Sequence, residues 1–405
     1  MSAELSQRSG MVPRFSGIAL KIVAMVFLAN MSAGFGRGEE ALPKTAFIHA
    51  LDARLVVGEK GDEIRLRGVA FPPRATANPR REDYEEVRRI GMNTVLLALN
   101  DRSFFEASSA HSDAWGRIDA HIRFARANGI RLVLFLLGIE GAQFVPGTEP
   151  FDYRIWEEDK LQQRYLRLWR SIADRYSREP QIAGFAIFGE PVTSGPAEQW
   201  SKLAARTCRA IREVDKNHAI FVERVYGENR VRREVSATDL PPEHAFPLIS
   251  DGNVVYMFYF FERDEYTHQF APWRPELQKS LHYPDAEHLI SYVEEPGGLR
   301  RKFGFDRSYL EFYLKRQLEF GRAHHAPMFV WGGALKGCFT PEKGGLEWLA
   351  DVVSLFDANR LQWALWAYRD DNFGIGENEA VKRLLSERLS RSEANLQSLP
   401  RNTRN

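Results

Sequence analysis

A glutamate stands where an apolar run ends in the middle of the chain. The run Ile182–Pro191 reads IAGFAIFGEP, in which a stretch of strand length stops at Gly189, Glu190 and Pro191. Gly and Pro end strands, so Glu190 is predicted to lie at the edge of a sheet. In a parallel α/β barrel the chemistry lies at the carboxyl ends of the strands. Glu190 is therefore a candidate catalytic carboxyl, and the alternative is a glutamate that caps the next helix or pairs with an arginine.

The elements that position Glu190 alternate regularly. Barrel strands are predicted to begin near Ile64, Asn93, Arg131, Ile182, Ala219, Asn253, Met328 and Leu361. Most of them follow a helical pattern that ends near Gly or Pro. Eight such units are what a closed (β/α)8 TIM barrel of the α/β class requires, and residues 53–69 add an N-terminal β-hairpin. The segments 223–252 and 262–306 are predicted to be long connections, which at this face usually build a binding site.

The amino terminus differs from the rest of the chain. Basic residues precede the apolar run Ile22–Ala29, and small residues follow it. This order is typical of a secretory signal peptide, and the run is short for crossing a bilayer. Residues 1–38 are therefore predicted to be a signal peptide or N-terminal segment of a secreted or periplasmic protein, with no integral membrane domain beyond it. Residues 45–390 are predicted to form one barrel domain and residues 391–405 a flexible tail.

Composition limits the classes of partner. The 55 basic and 54 acidic residues leave a net charge of +1, which favours neither nucleic acid nor an anionic membrane. Aromatic residues make up 12% of the chain, and their rings suit sugar faces as well as cores. Cys208 and Cys338 lack zinc or disulfide spacing, and Cys208 lies on an apolar helical pattern. Phosphate-loop, dinucleotide and HExxH motifs are missing from the sequence, so we expect no metal or cofactor.

The span from about Phe47 to Leu389 resembles glycoside hydrolase family 5, the secreted cellulase and endoglucanase barrels. The resemblance rests on IAGFAIFGEP, NVVYMFYFFERDEYTHQFAPW and LQWALWAYRDDNFGI. It implies that Glu190 takes the position of the general acid/base and Trp366 that of the aromatic platform under the sugar. It also implies a polysaccharide or oligosaccharide partner, β-linked and glucan-like.

Several polar positions of the family are replaced in this chain. Leu96 stands for an Arg on the second strand, and Leu137 stands for a His on the third. On the sixth strand Tyr259 and Phe261 take the places of a His and a Tyr. The seventh strand, APMFVWGGALKG, has Gly332 where the family has its nucleophilic Glu.

A missing nucleophile changes the expected chemistry. A retaining glycosidase uses two carboxyl groups about 5 to 5.5 Å apart, an acid/base and a nucleophile. Gly332 has no side chain to act as the nucleophile. Catalytic groups act as a unit, so we expect hydrolase activity to be lost or strongly reduced. Sugar binding needs no second carboxylate, and its candidate contacts are Trp366, Tyr259, Trp331 and Phe261.

Two alternatives remain at this stage. An active glycoside hydrolase or transglycosidase would pair Glu190 with a relocated carboxylate, for which Glu223 and Glu262 are the candidates. An inverting pair lies about 6.5 to 9.5 Å apart, although loop carboxylates are usually solvated or paired with Arg. The other alternative is a non-carbohydrate interaction scaffold on a reused barrel.

Overall fold

The structure, a computed structural model, describes residues 46–58, 60–105, 113–142, 151–228, 245–277, 280–294 and 299–398. The predicted signal segment, residues 1–38, lies outside these ranges, as do residues 229–244 of the predicted fifth connection and residues 399–405 of the predicted tail. Among the helices in the described ranges, none is long and apolar enough to span a bilayer.

Strands occur both inside and outside a central barrel. In chain order they are β1 (His49–Leu51), β2 (Arg54–Val57), β3 (Asp62–Ile64), β4 (Arg67–Phe71), β5 (Thr94–Asn100), β6 (Arg131–Gly138), β7 (Ile182–Ala186), β8 (Val192–Thr193), β9 (Ala219–Glu223), β10 (Gly227–Glu228), β11 (Val254–Tyr259), β12 (Asp285–Glu294), β13 (Leu299–Phe305), β14 (Met328–Gly332) and β15 (Gln362–Leu365).

Helices alternate with the barrel strands. The α-helices are α1 (Pro73–Ala77), α2 (Arg81–Ile90), α3 (Arg102–Phe105), α4 (Ala114–Ala127), α5 (Asp159–Tyr176), α6 (Glu198–Arg212), α7 (Asp264–Thr267), α8 (Arg307–Ala323), α9 (Gly345–Ala358) and α10 (Glu379–Ser398). Short 3-10 helices cover Arg154–Trp156, Lys336–Phe339, Pro341–Lys343 and Ile375–Glu377.

Eight parallel strands close into one barrel. In chain order β4, β5, β6, β7, β9, β11, β14 and β15 each pair with the next, and β15 pairs with β4. The predicted (β/α)8 TIM barrel is therefore confirmed. All residues of β7 and β9 are buried, as expected for strands covered by side chains inside the barrel and by helices outside it. Because the strands are parallel, all their carboxyl ends lie at one mouth.

The predicted strand starts hold within one residue except at the first barrel strand. That strand begins at Arg67, whereas Ile64 ends β3 of a separate sheet, so the prediction of Ile64 was wrong. Only Arg65 and Leu66 separate β3 from β4. In the sequence the β-forming residues of the two strands therefore look like one continuous strand. The change of sheet is made by a tertiary contact, since the N–H of Leu66 donates to the side-chain oxygen of Gln362 at 2.6 Å.

The predicted hairpin is part of a three-stranded sheet at the amino end of the barrel. β2 pairs with β3 as predicted, and β1 adds to the other edge of β2. Gly61 in the turn between β2 and β3 has a φ of 65°, a conformation that Gly adopts without strain. The N–H of Ala50 donates to Asn253 Oδ1 at 2.8 Å, just before β11. The sheet therefore packs at the end of the barrel opposite the mouth.

Two other segments extend beyond what the sequence predicted. The connection 262–306 was predicted to be a loop, but it contains α7 and an antiparallel ribbon of β12 and β13. Pro296 and two following glycines are a turn signal in the sequence that favours such a ribbon. The last helix, α10, continues to Ser398, whereas the tail was predicted to begin at residue 391. Cys208 is buried in α6 as predicted.

Candidate functional site

Glu190 lies just beyond the carboxyl end of β7 and is half-buried. Its φ is 51°, which is uncommon for a residue with a side chain. Its N–H donates to Oε2 of Glu223 at 3.0 Å. At the preceding residue, Gly189, a Cβ would lie 2.7 Å from both Leu137 Cδ1 and Phe135 Cζ. Apolar side chains therefore fill the space beside the residue that precedes Glu190.

Glu223, the last residue of β9, is fully buried at the carboxyl end of the barrel. Its Oε1 accepts hydrogen bonds from Nε1 of Trp331 at 2.8 Å and from the hydroxyl of Tyr226 at 2.9 Å. Burial raises the pKa of Glu223 to about 8, against these hydrogen bonds, and the neighbouring carboxyl of Glu190 also raises it.

The indole of Trp331 is surrounded by other aromatic rings. Its centroid lies 5.4 Å from that of Phe135, 5.6 Å from Phe261, 5.3 Å from Trp366 and 6.0 Å from Tyr259. Trp331 and Phe261 are buried, whereas Trp366 and Tyr259 are half-buried. The structure thus brings together the aromatic residues predicted to contact sugar, but only Trp366 and Tyr259 have substantial exposed surface.

Gly332 ends β14 in close contact with another strand. A Cβ at Gly332 would lie 2.0 Å from the carbonyl oxygen of Phe260, just after β11. Real Cβ atoms essentially never approach so closely, and the atom in the way belongs to the backbone. The carbonyl of Gly332 also accepts a hydrogen bond from the N–H of Trp366 at 2.7 Å. A carboxylate-bearing side chain therefore has no place at this position of the seventh barrel strand.

Glu262, the other candidate second carboxylate, contacts the outer helices. The hydroxyl of Tyr309 on α8 donates to its Oε2 at 2.9 Å. Its carbonyl accepts a hydrogen bond from Nε1 of Trp348 on α9 at 2.6 Å. Burial of the carboxyl raises the pKa of Glu262 to about 7. The structure therefore places Glu223 beside Glu190, and Glu262 against α8 and α9.

The connection after β11 supplies a second aromatic group beside the mouth. His268 lies with its ring 5.2 Å from that of Phe261 and 5.8 Å from that of Phe373. Trp273 is half-buried, and its ring lies 6.2 Å from that of Phe373. Nδ1 of His268 pairs with Oδ1 of Asp264 at 2.9 Å. These residues extend the aromatic lining from Trp331 into the connection.

Sequence reasoning missed two residues of this arrangement. Tyr226 stacks on Tyr259 with ring centroids 3.8 Å apart, and its hydroxyl accepts a hydrogen bond from the N–H of Tyr259. Phe135 packs against Trp331 from the third barrel strand. Tyr226 follows a strand without any motif, and the apolar run around Phe135 predicts burial but no partner. In the described part of the chain no group of three or more His, Cys, Asp or Glu side chains could hold a metal ion.

TIM-barrel proteins carry their functional sites at the mouth formed by the carboxyl ends of the strands. In this barrel that mouth holds acidic and aromatic side chains. The chain belongs to glycosyl hydrolase family 5, since residues 57–372 match the sequence profile of that cellulase family.

Individual relatives are distant. Endoglucanase C of Acetivibrio thermocellus is 23% identical over 314 residues, which cover 73% of this chain and 85% of that protein. Cellodextrinase A of Ruminococcus flavefaciens is 25% identical over 209 residues, or 51% of this chain and 57% of that protein.

Solved structures agree with the fold. Endoglucanase Cel5A of Thermotoga maritima superposes with a TM-score of 0.59 at 20% identity, covering 79% of this chain and 96% of its own. The cellulose synthase subunit Z of Clostridioides difficile gives a TM-score of 0.59 at 17% identity, covering 80% and 99%. Likeness at these identities establishes the shared fold.

Proposed function

We propose that this protein binds a β-linked, glucan-like polysaccharide or oligosaccharide at the barrel mouth and has lost, or strongly reduced, the hydrolase activity of its family. The observation that carries the proposal is at Gly332. The position that gives the family its nucleophile has no side chain here, and a Cβ would meet the backbone oxygen of Phe260 at 2.0 Å. Without a second carboxylate on this strand, the retaining mechanism has no nucleophile.

The surroundings of Glu190 support the same conclusion. Glycoside cleavage passes through a positively charged, oxocarbenium-like transition state that requires nearby carboxylates and polar groups. Leu96 and Leu137 replace polar family residues, and Leu137 and Phe135 close the space beside Gly189. An apolar environment of this kind does not stabilise developing charge.

Glu223 is a poor replacement for the missing carboxylate. It is beside Glu190, which suits the alternative of a relocated catalytic pair. However, it is fully buried, and its oxygens accept hydrogen bonds from Trp331, Tyr226 and the N–H of Glu190. A catalytic base must reach the reacting atom directly or through one water. Because its carboxyl is buried and hydrogen-bonded to protein groups, Glu223 is not placed to act as a catalytic base. This favours a sugar-binding protein over an active hydrolase.

Binding is supported by the half-buried side chains at the mouth. Trp366 and Trp273 present partly exposed rings, which suit the apolar face of a sugar, and Glu190 supplies a hydrogen-bond acceptor. The names endoglucanase and cellodextrinase of the relatives favour glucans and cellodextrins as the ligand class. Export through the amino-terminal segment fits a polymer found outside the cell, so we include a secreted or periplasmic location in the proposal.

The test measures hydrolysis and retention side by side. Purified protein is incubated with β-1,4-glucan, β-1,3-glucan and mannan, and both released reducing ends and protein retained on polysaccharide are quantified. Trp366→Ala and Glu190→Ala should lower retention. Trp115→Ala is the matched control, because Trp115 is a half-buried tryptophan on the outer helix α4 and should leave retention unchanged.

The outcomes separate the three functions. Retention without reducing ends, lost in Trp366→Ala, supports the sugar-binding protein. Robust hydrolysis that Glu190→Ala abolishes overturns the proposal in favour of a relocated catalytic pair. Neither retention nor hydrolysis on any of the polymers favours a non-carbohydrate scaffold.

A further inference from the structure

Glu223 connects neighbouring strand ends of the mouth although it is sealed from solvent. Its carboxyl accepts hydrogen bonds from Glu190 after β7 and from Trp331 on β14. It also bonds to Tyr226, which follows β9, and the hydroxyl of Tyr226 accepts from the N–H of Tyr259 on β11. The strands β7, β9, β11 and β14 are consecutive in the barrel. One buried carboxyl therefore links the carboxyl ends of four adjacent strands.

All the hydrogen bonds at the Glu223 carboxyl are donated to it. Oε2 accepts from the N–H of Glu190, while Oε1 accepts from the indole N–H of Trp331. Oε1 also accepts from the hydroxyl of Tyr226, whose oxygen in turn accepts from the N–H of Tyr259. The carboxyl is therefore the common acceptor for the backbone of Glu190, the indole of Trp331 and the hydroxyl of Tyr226.

This hydrogen bond fixes a residue in an unfavourable backbone conformation. Glu190 has a φ of 51°, and such a conformation persists only where the surrounding structure determines it. Loss of the acceptor would leave the N–H of Glu190 without this partner and release the turn.

We propose that Glu223 is a positioning residue that sets the conformation of Glu190 and the orientation of Trp331, so that sugar affinity at the mouth depends on a carboxyl that the sugar does not touch. This inference rests on the proposed function for its binding readout. Its structural readout is independent of any sugar.

Two substitutions of Glu223 distinguish positioning from mere packing. In Glu223→Gln the amide oxygen still accepts from the N–H of Glu190, while the amide NH2 takes the place of Oε1, so the bonds from Trp331 and Tyr226 are lost. Glu223→Ala loses every bond. We expect Glu223→Ala to weaken retention on β-glucan by about tenfold or more, and Glu223→Gln to stay within about threefold of the wild type.

Asp215→Asn is the matched control. Asp215 is a buried carboxyl just before the opposite end of β9, paired with His218. The same exchange of carboxyl for amide there should lower thermal stability without changing retention.

The second readout is the pH dependence of two nitrogen-bound protons measured by NMR with selectively labelled protein. The amide of Glu190 and the indole N–H of Trp331 both contact Glu223, so their resonances should shift with one common midpoint in the wild type. The groups facing Glu223 are the Glu190 carboxyl and the Tyr226 hydroxyl, and burial raises the pKa of Tyr226 far above its usual value. Glu190→Gln keeps its N–H and should keep the common midpoint, whereas Glu223→Gln should abolish it.

The results test the two proposals separately. Unchanged retention and an unchanged Glu190 resonance in Glu223→Ala would overturn positioning. If the wild type retains no polysaccharide, the proposed function fails, and the common NMR midpoint then supports or overturns positioning alone. If Glu223→Ala does not fold, the NMR titration of Glu223→Gln tests positioning instead: resonances that still shift together with pH contradict the inference, and loss of the common midpoint supports it.

Discussion

Adding a single methyl group at Gly332 should destabilise the barrel. The Cβ of Gly332→Ala would lie 2.0 Å from the carbonyl oxygen of Phe260, and ordinary contact begins at 3.4 Å, so the strands must separate by roughly 1.4 Å. Nearby, the N–H of Phe260 donates to the carbonyl of Trp331 at 2.7 Å, and this bond would lengthen. Overpacking costs about 1 to 3 kcal/mol and a weakened hydrogen bond about 1 kcal/mol. We therefore expect a loss of about 3 kcal/mol, or a fall in Tm of about 4 °C for a barrel of this size.

Gly337→Ala is the control, because Gly337 is exposed in the connection that follows β14 and its Cβ would meet nothing within 4 Å. Both exchanges restrict the unfolded chain equally, so the difference in Tm isolates the contact with Phe260. Gly332→Glu carries the same Cβ and should be at least as unstable, without measurable release of reducing ends from β-glucan. Equal Tm values for the two alanine variants would refute the steric reasoning. Hydrolysis by Gly332→Glu would show that the mouth still supports a nucleophile.

Three further predictions follow from burial and sequence. The pKa of Glu223 is raised to about 8, so the stability that its protonated form contributes is present at low pH and is lost as the pH rises to about 8. Between about pH 5 and about pH 8.5 the Tm of the wild type should therefore fall more than that of Glu223→Gln. Parallel curves of Tm against pH for the two proteins would contradict this. Burial raises the pKa of both Cys208 and Cys338 to about 12, so a thiol reagent should label them only after denaturation, and rapid labelling of the native protein would disprove it. Residues 1 to about 36 should be missing from the exported protein by mass spectrometry, and an intact amino terminus there would count against a cleaved signal peptide.

The sequence was sufficient for the order of the barrel and for the position of Glu190. Each parallel strand is covered on both faces, so it appears as an apolar run, and Gly or Pro marks where many of these runs end. The resemblance to the family, not this rule, drew attention to Gly332 on the seventh strand. The strand-end rule failed at Ile64. Two strands separated by only two residues give the same sequence pattern whether they belong to one sheet or to two.

The second carboxyl of the mouth was decided by tertiary structure. Glu223 and Glu262 both follow β-rich runs at strand ends, and the sequence treats them as equivalent candidates. In the fold Glu223 points among Trp331, Tyr226 and the backbone of Glu190, whereas Glu262 binds Tyr309 on an outer helix.

The physical reason is that a strand-end side chain can turn either into the barrel or toward the helices. The choice depends on residues that are far away in the chain. Trp331 follows Glu223 by 108 positions, yet its indole N–H supplies one of the hydrogen bonds that hold the carboxyl inside. Local pattern determines that a strand ends at such a residue; only the packing of the neighbouring strands determines what its side chain contacts.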